Sequence, residues 1–417
     1  MSIFRIQGMA PLCGRVAVQG AKNSVLPVLA ATLLHPGVSV IHNCPDLRDV
    51  RTTIAILTYL GCRVTREGET ITVDASVLTR SDIPDHLMRE MRSSVIFLGA
   101  ILARCGQANM SFPGGCELGP RPIDLHLSAL REMGADIEEH GGVLTCRARD
   151  MQGRDINLSF TSVGATENIM LVAIHCAGTT RICNAAREPE IADLQAFLCA
   201  LGAKIHGAGS STIEIEGVSQ THDACHTVIP DRIVAATYLI AAAIAGGDVL
   251  VEHMLPEQIT PITSLLSECG CLLDIGADYI RLIRHSALYP MRTVRTMPYP
   301  GFPTDAQAPL MALATQCDGT TLFIENIFSS RYRHVCELAR MGADIKVEGR
   351  VALVYGGKRL SGAVVHAHDL RGGAALVLAA LAAEGESIVS GLAHIDRGYE
   401  RMEHVLAQLG AQIARES

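Results

Sequence analysis

The stretch Pro113-Gly114-Gly115-Cys116-Glu117-Leu118-Gly119-Pro120-Arg121-Pro122 holds one thiol and one guanidinium five residues apart. Its glycines and prolines exclude a regular helix or strand and predict a loop of specified shape. A nearby cation lowers the pKa of a thiol and makes it a nucleophile or proton relay, and Arg121 is a candidate for that cation. The arginine fork also grips phosphate or carboxylate. A tight surface loop with an incidental cysteine is the competing reading, and this stretch alone does not exclude it.

A second set of polar groups stands just ahead of six apolar runs: Lys22-Asn23, Arg92, Ser162-Val163-Gly164, Asp231-Arg232, Thr304-Asp305 and Asp369-Leu370-Arg371. Helix N-termini carry partial positive charge and attract anions. Lys22, Arg92, Arg232 and Arg371 break that preference, which points to an anionic ligand. Taken singly, Asp231 and Asp305 are ordinary N-caps, Ser162 is a plain cap and Arg232 is an ion-pair partner of Asp231. The recurrence is what favours function. The runs Asn184 to Ile191 and Ile395 to Arg401 are polar in the same manner, and each also reads as a plain turn or helix start.

These groups need elements to carry them. Six runs rich in Ala and aliphatic residues (23–34, 93–103, 165–177, 233–245, 306–315 and 373–383) are apolar nearly all round, so each predicts a helix buried on every side. A phrase like Leu-x-x-(Leu/Met)-Gly-Ala-x-Ile interleaves with them, with glycines at positions 61, 134, 202, 270, 342 and 410. Each phrase reads as an amphipathic helix closed by a Gly cap and turning into a strand. Six supersecondary units follow, three to a lobe. The first lobe is expected over 20–229. The second is expected over 230–417, with residues 1–19 joining it as a discontinuous piece whose segment Phe4 to Val18 reads as one strand that pairs with the last repeat.

The 417 residues are 48% hydrophobic but only 4% aromatic, with no Trp, so the core must be built from Ala, Val, Leu and Ile. The net charge of −8 argues against a nucleic-acid or membrane-surface partner. The 14 cysteines form no CxxC pair and no cluster with zinc spacing, so no metal is expected. Cys176, Cys183, Cys199 and Cys317 lie in apolar runs and read as small buried hydrophobes. No signal peptide or bilayer-length apolar run is apparent, and a cytoplasmic chain is the expectation.

Together these segments identify the chain as similar to the UDP-N-acetylglucosamine 1-carboxyvinyltransferase family of enolpyruvyl transferases. The resemblance runs end to end, through Gly20 to Asn23, Met91 to Ser94, Pro113 to Arg121, Ser162 to Thr166, Asn184 to Ile191, Pro230 to Arg232, Phe302 to Asp305, Arg331, Asp369 to Arg371 and His394 to Arg401. It implies an α/β fold of two inside-out barrels, each a threefold repeat with helices inside and sheets outside. It also implies transfer of the enolpyruvyl group of phosphoenolpyruvate to the 3′-hydroxyl of UDP-N-acetylglucosamine, in a cleft between the lobes, with no cofactor. By position, Cys116 is implied as general acid and Asp305 as acceptor of the hydroxyl proton. Lys22, Arg121 and Arg397 are implied to hold the phosphate and carboxylate. Arg92, Arg331 and Arg371 would complete the basic site. Asn23, Pro122, Ile123, Asp124, Leu125, Ser162, Val163, Gly164, Asp305 and Ile327 would bind the nucleotide sugar, with Glu188, Asp231 and Asp369 positioning them.

Departures from the family pattern are Phe160 and Ile96, where some relatives have Lys and Trp, and Arg48 in place of Lys. None is among the implied acid, base or phosphate grips. Since position 116 is Cys rather than Asp, alkylation there by the epoxide fosfomycin is expected. Three alternatives share the resemblance: a shikimate-pathway enolpyruvyl transferase, which lacks the Cys loop; a transferase acting on another nucleotide; and a catalytically silent UDP-sugar binder.

Overall fold

The computed structural model describes residues 2–112 and 123–416. They divide into two compact units, one of 2–19 with 230–416, the other of 20–112 with 123–229.

Each unit contains three four-stranded sheets, and all six sheets repeat one plan. In the unit beginning at residue 20 the clearest example runs Asp155–Asn157, then helix Val163–Ala173, strand Thr179–Cys183, helix Pro189–Ala200 and hairpin Lys204–His206/Thr212–Glu216. The first strand pairs parallel with the second, and the hairpin's returning strand pairs antiparallel beside it. The first helix of each repeat is apolar on all faces, and the second is amphipathic. Only the first can therefore be enclosed completely.

The inner helices are Lys22–Ala31, Phe97–Cys105 and Val163–Ala173 in one unit, and Arg232–Ala245, Gln307–Ala314 and Leu370–Ala382 in the other. The three of the second unit all pack on one another. In the first unit the backbone N–H of Gly99 donates to Asn168 Oδ1 at 2.7 Å. A Cβ on Gly99 would lie 2.6 Å from that oxygen, so the two helices approach this closely only through glycine. The small-residue composition of the inner helices is thus a packing requirement.

The phrase glycines close the outer helices. Gly61, Gly134, Gly202, Gly270, Gly342 and Gly410 all have positive φ, from 93° to 110°. A side chain at φ > 0 is strained, which explains why glycine survives even in the degraded repeat around Cys269-Gly270-Cys271.

Chain order is broken at three places, each repaired by a strand from elsewhere. Ile3–Gln7 supplies the returning strand of the last repeat, between Glu386–Ser390 and Gln412–Glu416. Leu12–Ala17 supplies the parallel edge of the fourth repeat, beside Gly247–Glu252. Ala224–Thr227 does the same for the first repeat, beside Val38–His42. The amino-terminal segment 4–18, read from sequence as one strand, is therefore two strands in two sheets. Gly8 lies against the Ala383 carbonyl, Met9 adopts φ 70° and Pro11 lacks a donor, so the strand cannot continue through them.

Cys176 and Cys317 are buried as expected, but Cys183 is half-buried and Cys199 is exposed. Cys199 lies on the amphipathic helix Pro189–Ala200, whose outer face meets solvent.

Candidate active site

In the unit 230–416, Asp231 and Asp369 cap their helices. Asp231 Oδ1 accepts from the N–H groups of Ile233 and Val234, and Asp369 Oδ1 from those of Arg371 and Gly372. These caps set where the next side chains point. Arg371, only 2% exposed, donates from Nη2 to Asp305 Oδ2 at 3.1 Å. Arg331, equally buried, donates from Nη2 to Asp305 Oδ1 at 3.2 Å and to the Thr304 carbonyl at 2.9 Å. Two guanidiniums thus bracket one carboxylate, one at each oxygen. Burial alone would lower the pKa of Arg371, but Tyr399 and Asp305 outweigh it and raise it. Arg232 lies with its guanidinium 5.5 Å from the ring centroid of Tyr299. Arg397 is half-buried just beyond the short helix Leu392–Ile395.

Sequence reasoning missed Glu325, which is fully buried. Its Oε1 accepts from Thr296 Oγ1 and from the N–H groups of Ile327 and Phe328, and its Oε2 accepts from Thr304 Oγ1. One carboxylate therefore pins both the turn bearing Asp305 and the segment bearing Ile327. A lone Glu at the end of strand Thr320–Ile324 gives no signal in sequence, since its donors come from three separate segments.

In the unit 20–229, Lys22 opens its helix and is 8% exposed, with Nζ 2.7 Å from Asp49 Oδ2. Asp49 is itself buried, in the first turn of helix Arg48–Leu60. The positive group at this helix start thus has a protein carboxylate beside it, which weakens the inference of an anionic ligand from charge preference alone. Asn23 and Arg92 are half-buried at the starts of their helical segments. Ser162 caps helix Val163–Ala173, accepting from Ala165 N–H at 3.3 Å. Four residues on, Thr166 Oγ1 accepts from Ala186 N–H, bringing the 184–191 run against that helix. Glu167 is enclosed there. Burial, then repulsion from Glu190 and Glu188, raises its pKa well above the usual carboxylate range.

His126 was also missed. It follows Asp124 and Leu125 on helix Asp124–Glu132 and is buried. Burial, then the charge of Arg92, pushes its pKa down to about 4, against a smaller opposing effect of Asp124. Ile123 is buried, Asp124 exposed and Leu125 half-buried. Cys116, Arg121 and Pro122 lie outside the described residues. Of the three departures noted, Ile96 is buried in the core, while Phe160 and Arg48 are exposed.

Away from these residues, ligand atoms of Cys336, Glu337 and His368 lie within 4.8 Å of one another. Glu337 there already accepts from His366 N–H and faces Arg340, contacts that occupy it without an ion. Among the described residues, no helix is long and apolar enough to cross a membrane.

The six-sheet, helix-inside architecture recurs in solved structures. The enolpyruvyl transferase NikO from Streptomyces tendae superposes with a TM-score of 0.90 at 27% identity, over 99% of this chain and 98% of that one. EPSP synthase from Acinetobacter baumannii, at 18% identity and a TM-score of 0.75, shares the fold. The sequence profile of EPSP synthase (3-phosphoshikimate 1-carboxyvinyltransferase) matches residues 6–406. The chain therefore belongs to this carboxyvinyltransferase family. At closer range it is 52% identical over 415 residues, spanning both chains completely, to UDP-N-acetylglucosamine 1-carboxyvinyltransferase 2 of Caldanaerobacter subterraneus subsp. tengcongensis. It is 45% identical to UDP-N-acetylglucosamine 1-carboxyvinyltransferase of Dichelobacter nodosus, over all of this chain and 99% of that one.

Proposed function

We propose that the protein transfers the enolpyruvyl group of phosphoenolpyruvate to the 3′-hydroxyl of UDP-N-acetylglucosamine, releasing phosphate, as the first committed step of peptidoglycan synthesis. The observation that carries this reading is the Asp305 carboxylate bracketed by Arg331 and Arg371, in a chain similar end to end to relatives of that name. A carboxylate there is suited to accept a hydroxyl proton, and buried cations beside it suit two anionic substrates.

The 3′-oxygen forms a bond to C2 of phosphoenolpyruvate, its proton passing to Asp305. C3 of phosphoenolpyruvate takes a proton, with Cys116 as the donor. The tetrahedral intermediate then breaks its C2–O bond, phosphate leaving with the proton held by Asp305 while C3 returns a proton to the Cys116 thiolate, which leaves an enol ether and restores both residues. Lys22, Arg121 and Arg397 hold the phosphate and carboxylate, and Arg92, Arg331 and Arg371 add positive charge. Asn23, Pro122 to Leu125, Ser162 to Gly164 and Ile327 receive the nucleotide sugar. Glu188, Asp231 and Asp369 position their neighbours.

The test is phosphate release from phosphoenolpyruvate with a panel of UDP-sugars. Release that depends on UDP-N-acetylglucosamine is expected. Release with shikimate 3-phosphate or with another UDP-sugar alone would overturn the assignment, and binding without release would indicate a silent paralogue.

A further inference from the structure

Asn168 is fully buried on helix Val163–Ala173, and its carboxamide makes three hydrogen bonds. Oδ1 accepts from Gly99 N–H at 2.7 Å. Nδ2 donates to the Val95 carbonyl at 3.1 Å, and Nδ2 also lies 2.8 Å from His126 Nδ1. Each contact constrains the next. A backbone N–H can only donate, so the oxygen of the amide must face Gly99. A backbone carbonyl can only accept, so the nitrogen must face Val95. That nitrogen is a donor, so His126 Nδ1 must accept from it and carries no proton. The neutral ring then holds its proton on Nε2. Burial in an apolar setting beside Arg92 keeps the ring neutral.

The protonated nitrogen faces the start of helix Val163–Ala173. A Cβ on Gly164 would lie 3.0 Å from His126 Cε1 and 3.3 Å from Nε2. His126 as a residue is 7% exposed, and its Nε2 makes no hydrogen bond among the described residues. This donor is therefore free to serve an acceptor from outside the protein. The first N–H groups of this helix have no intrahelical partner, and only that of Ala165 is met by Ser162. An anion seated there would take both kinds of donor.

We propose that Asn168 is a positioning residue: it locks His126 as the Nε2–H tautomer, so that a neutral imidazole donates to a phosphate oxygen of the nucleotide sugar at the start of helix Val163–Ala173. This rests on the reading that Ser162 to Gly164 receive that substrate, and it specifies the phosphate end. Gly99 serves the same arrangement at one remove, because its N–H decides which way the amide of Asn168 faces. Glycine at 164 leaves room for the ring to lie against the backbone.

Histidine-selective ¹⁵N NMR on the free, full-length protein reads the tautomer directly. His126 is expected to show a proton on Nε2 and a bare Nδ1 at neutral pH, and Asn168→Asp is expected to move the proton to Nδ1. A proton on Nδ1 in the unsubstituted protein overturns the proposal. Calorimetry with UDP-N-acetylglucosamine supplies the second readout. His126→Leu and Asn168→Asp are expected to weaken binding by about tenfold or more, the effect of one hydrogen bond to a charged group. His126→Gln, whose amide nitrogen can stand near Nε2, is expected to restore much of it. KM for phosphoenolpyruvate is expected to stay unchanged in all three. Equal affinity in His126→Leu and His126→Gln overturns the proposal even if Asn168→Asp fails to fold. Absence of binding by the unsubstituted protein overturns the functional reading and the ligand named here, whereas the tautomer is decided separately.

Discussion

Asp305 and Cys116 are the two residues on which the proposed proton traffic depends, and they call for different tests. Asp305→Asn keeps volume and hydrogen bonding but cannot accept a proton. We expect kcat to fall by about 10²–10⁴-fold, the usual reach of general acid–base catalysis, with thermal unfolding showing a folded chain. A change confined to KM would make Asp305 a binding group only. For Cys116 the test is covalent. Fosfomycin is expected to inactivate the protein with an adduct on Cys116, located by peptide mass spectrometry. The buried thiols should remain unmodified, since burial pushes Cys62 up to about 12 and Cys176 up to about 11. An adduct on exposed Cys199 or Cys225 with no adduct on Cys116 would refute that role.

At the scale of elements, the site residues sit where inner helices begin, and caps and buried carboxylates hold those beginnings in place. Glu325 is the most consequential of them. Glu325→Ala would leave one buried and one half-buried hydroxyl and two backbone N–H groups without their acceptor, so a loss of at least about 2 kcal/mol is expected. The measurement is the urea midpoint at constant slope. Glu325→Gln, which retains one acceptor oxygen, should lose less. Because Thr304 hangs on this carboxylate next to Asp305, the alanine variant should also lose kcat. An unchanged midpoint would mean that the surrounding turns hold without Glu325. Much at this scale was readable beforehand. Runs apolar nearly all round located all six inner helices, and the glycine phrases located the outer helix ends. The hub at Glu325 and the amide of Asn168 were not readable, because their partners lie in segments distant along the chain.

The whole molecule carries a pH signature from groups enclosed by folding. Burial pushes both His126 and His334 down to about 4. In the unfolded chain they return to about 6.5, so the unfolded state binds more protons between about pH 6.5 and 4. Stability supplied by keeping these rings neutral is therefore present above that window and lost as pH falls through it. Glu167 acts oppositely: its raised pKa contributes fully below about 4.5 and fades as pH rises through its folded-state value. With two histidines against one carboxyl, melting temperature is expected to fall from pH 7 to 5. His334→Asn should flatten that decline, and an identical slope in the variant would remove His334 from the account. At this scale the amino terminus departs from its reading as one strand. One apolar alternation over 4–18 hides two strands, because which sheet a strand joins depends on distant partners such as Gly247–Glu252 and Glu386–Ser390.

Local physics, written in the order of residues, was sufficient for the helices, their glycine ends, the sixfold repeat and the resemblance through Lys22, Cys116, Asp305 and Arg397. Each of these depends on neighbours within a few turns of chain, or on motifs that stand side by side in the sequence. Tertiary structure alone decided that Asp49 lies beside Lys22, that Arg331 and Arg371 take opposite oxygens of Asp305, and that Gly99 turns the amide that sets His126. Hydrogen bonds and ion pairs act over about 3–4 Å, whereas the residues that make these contacts stand 26 to 69 positions apart. Their pairing follows from packed helices, and no spacing rule along the chain encodes it.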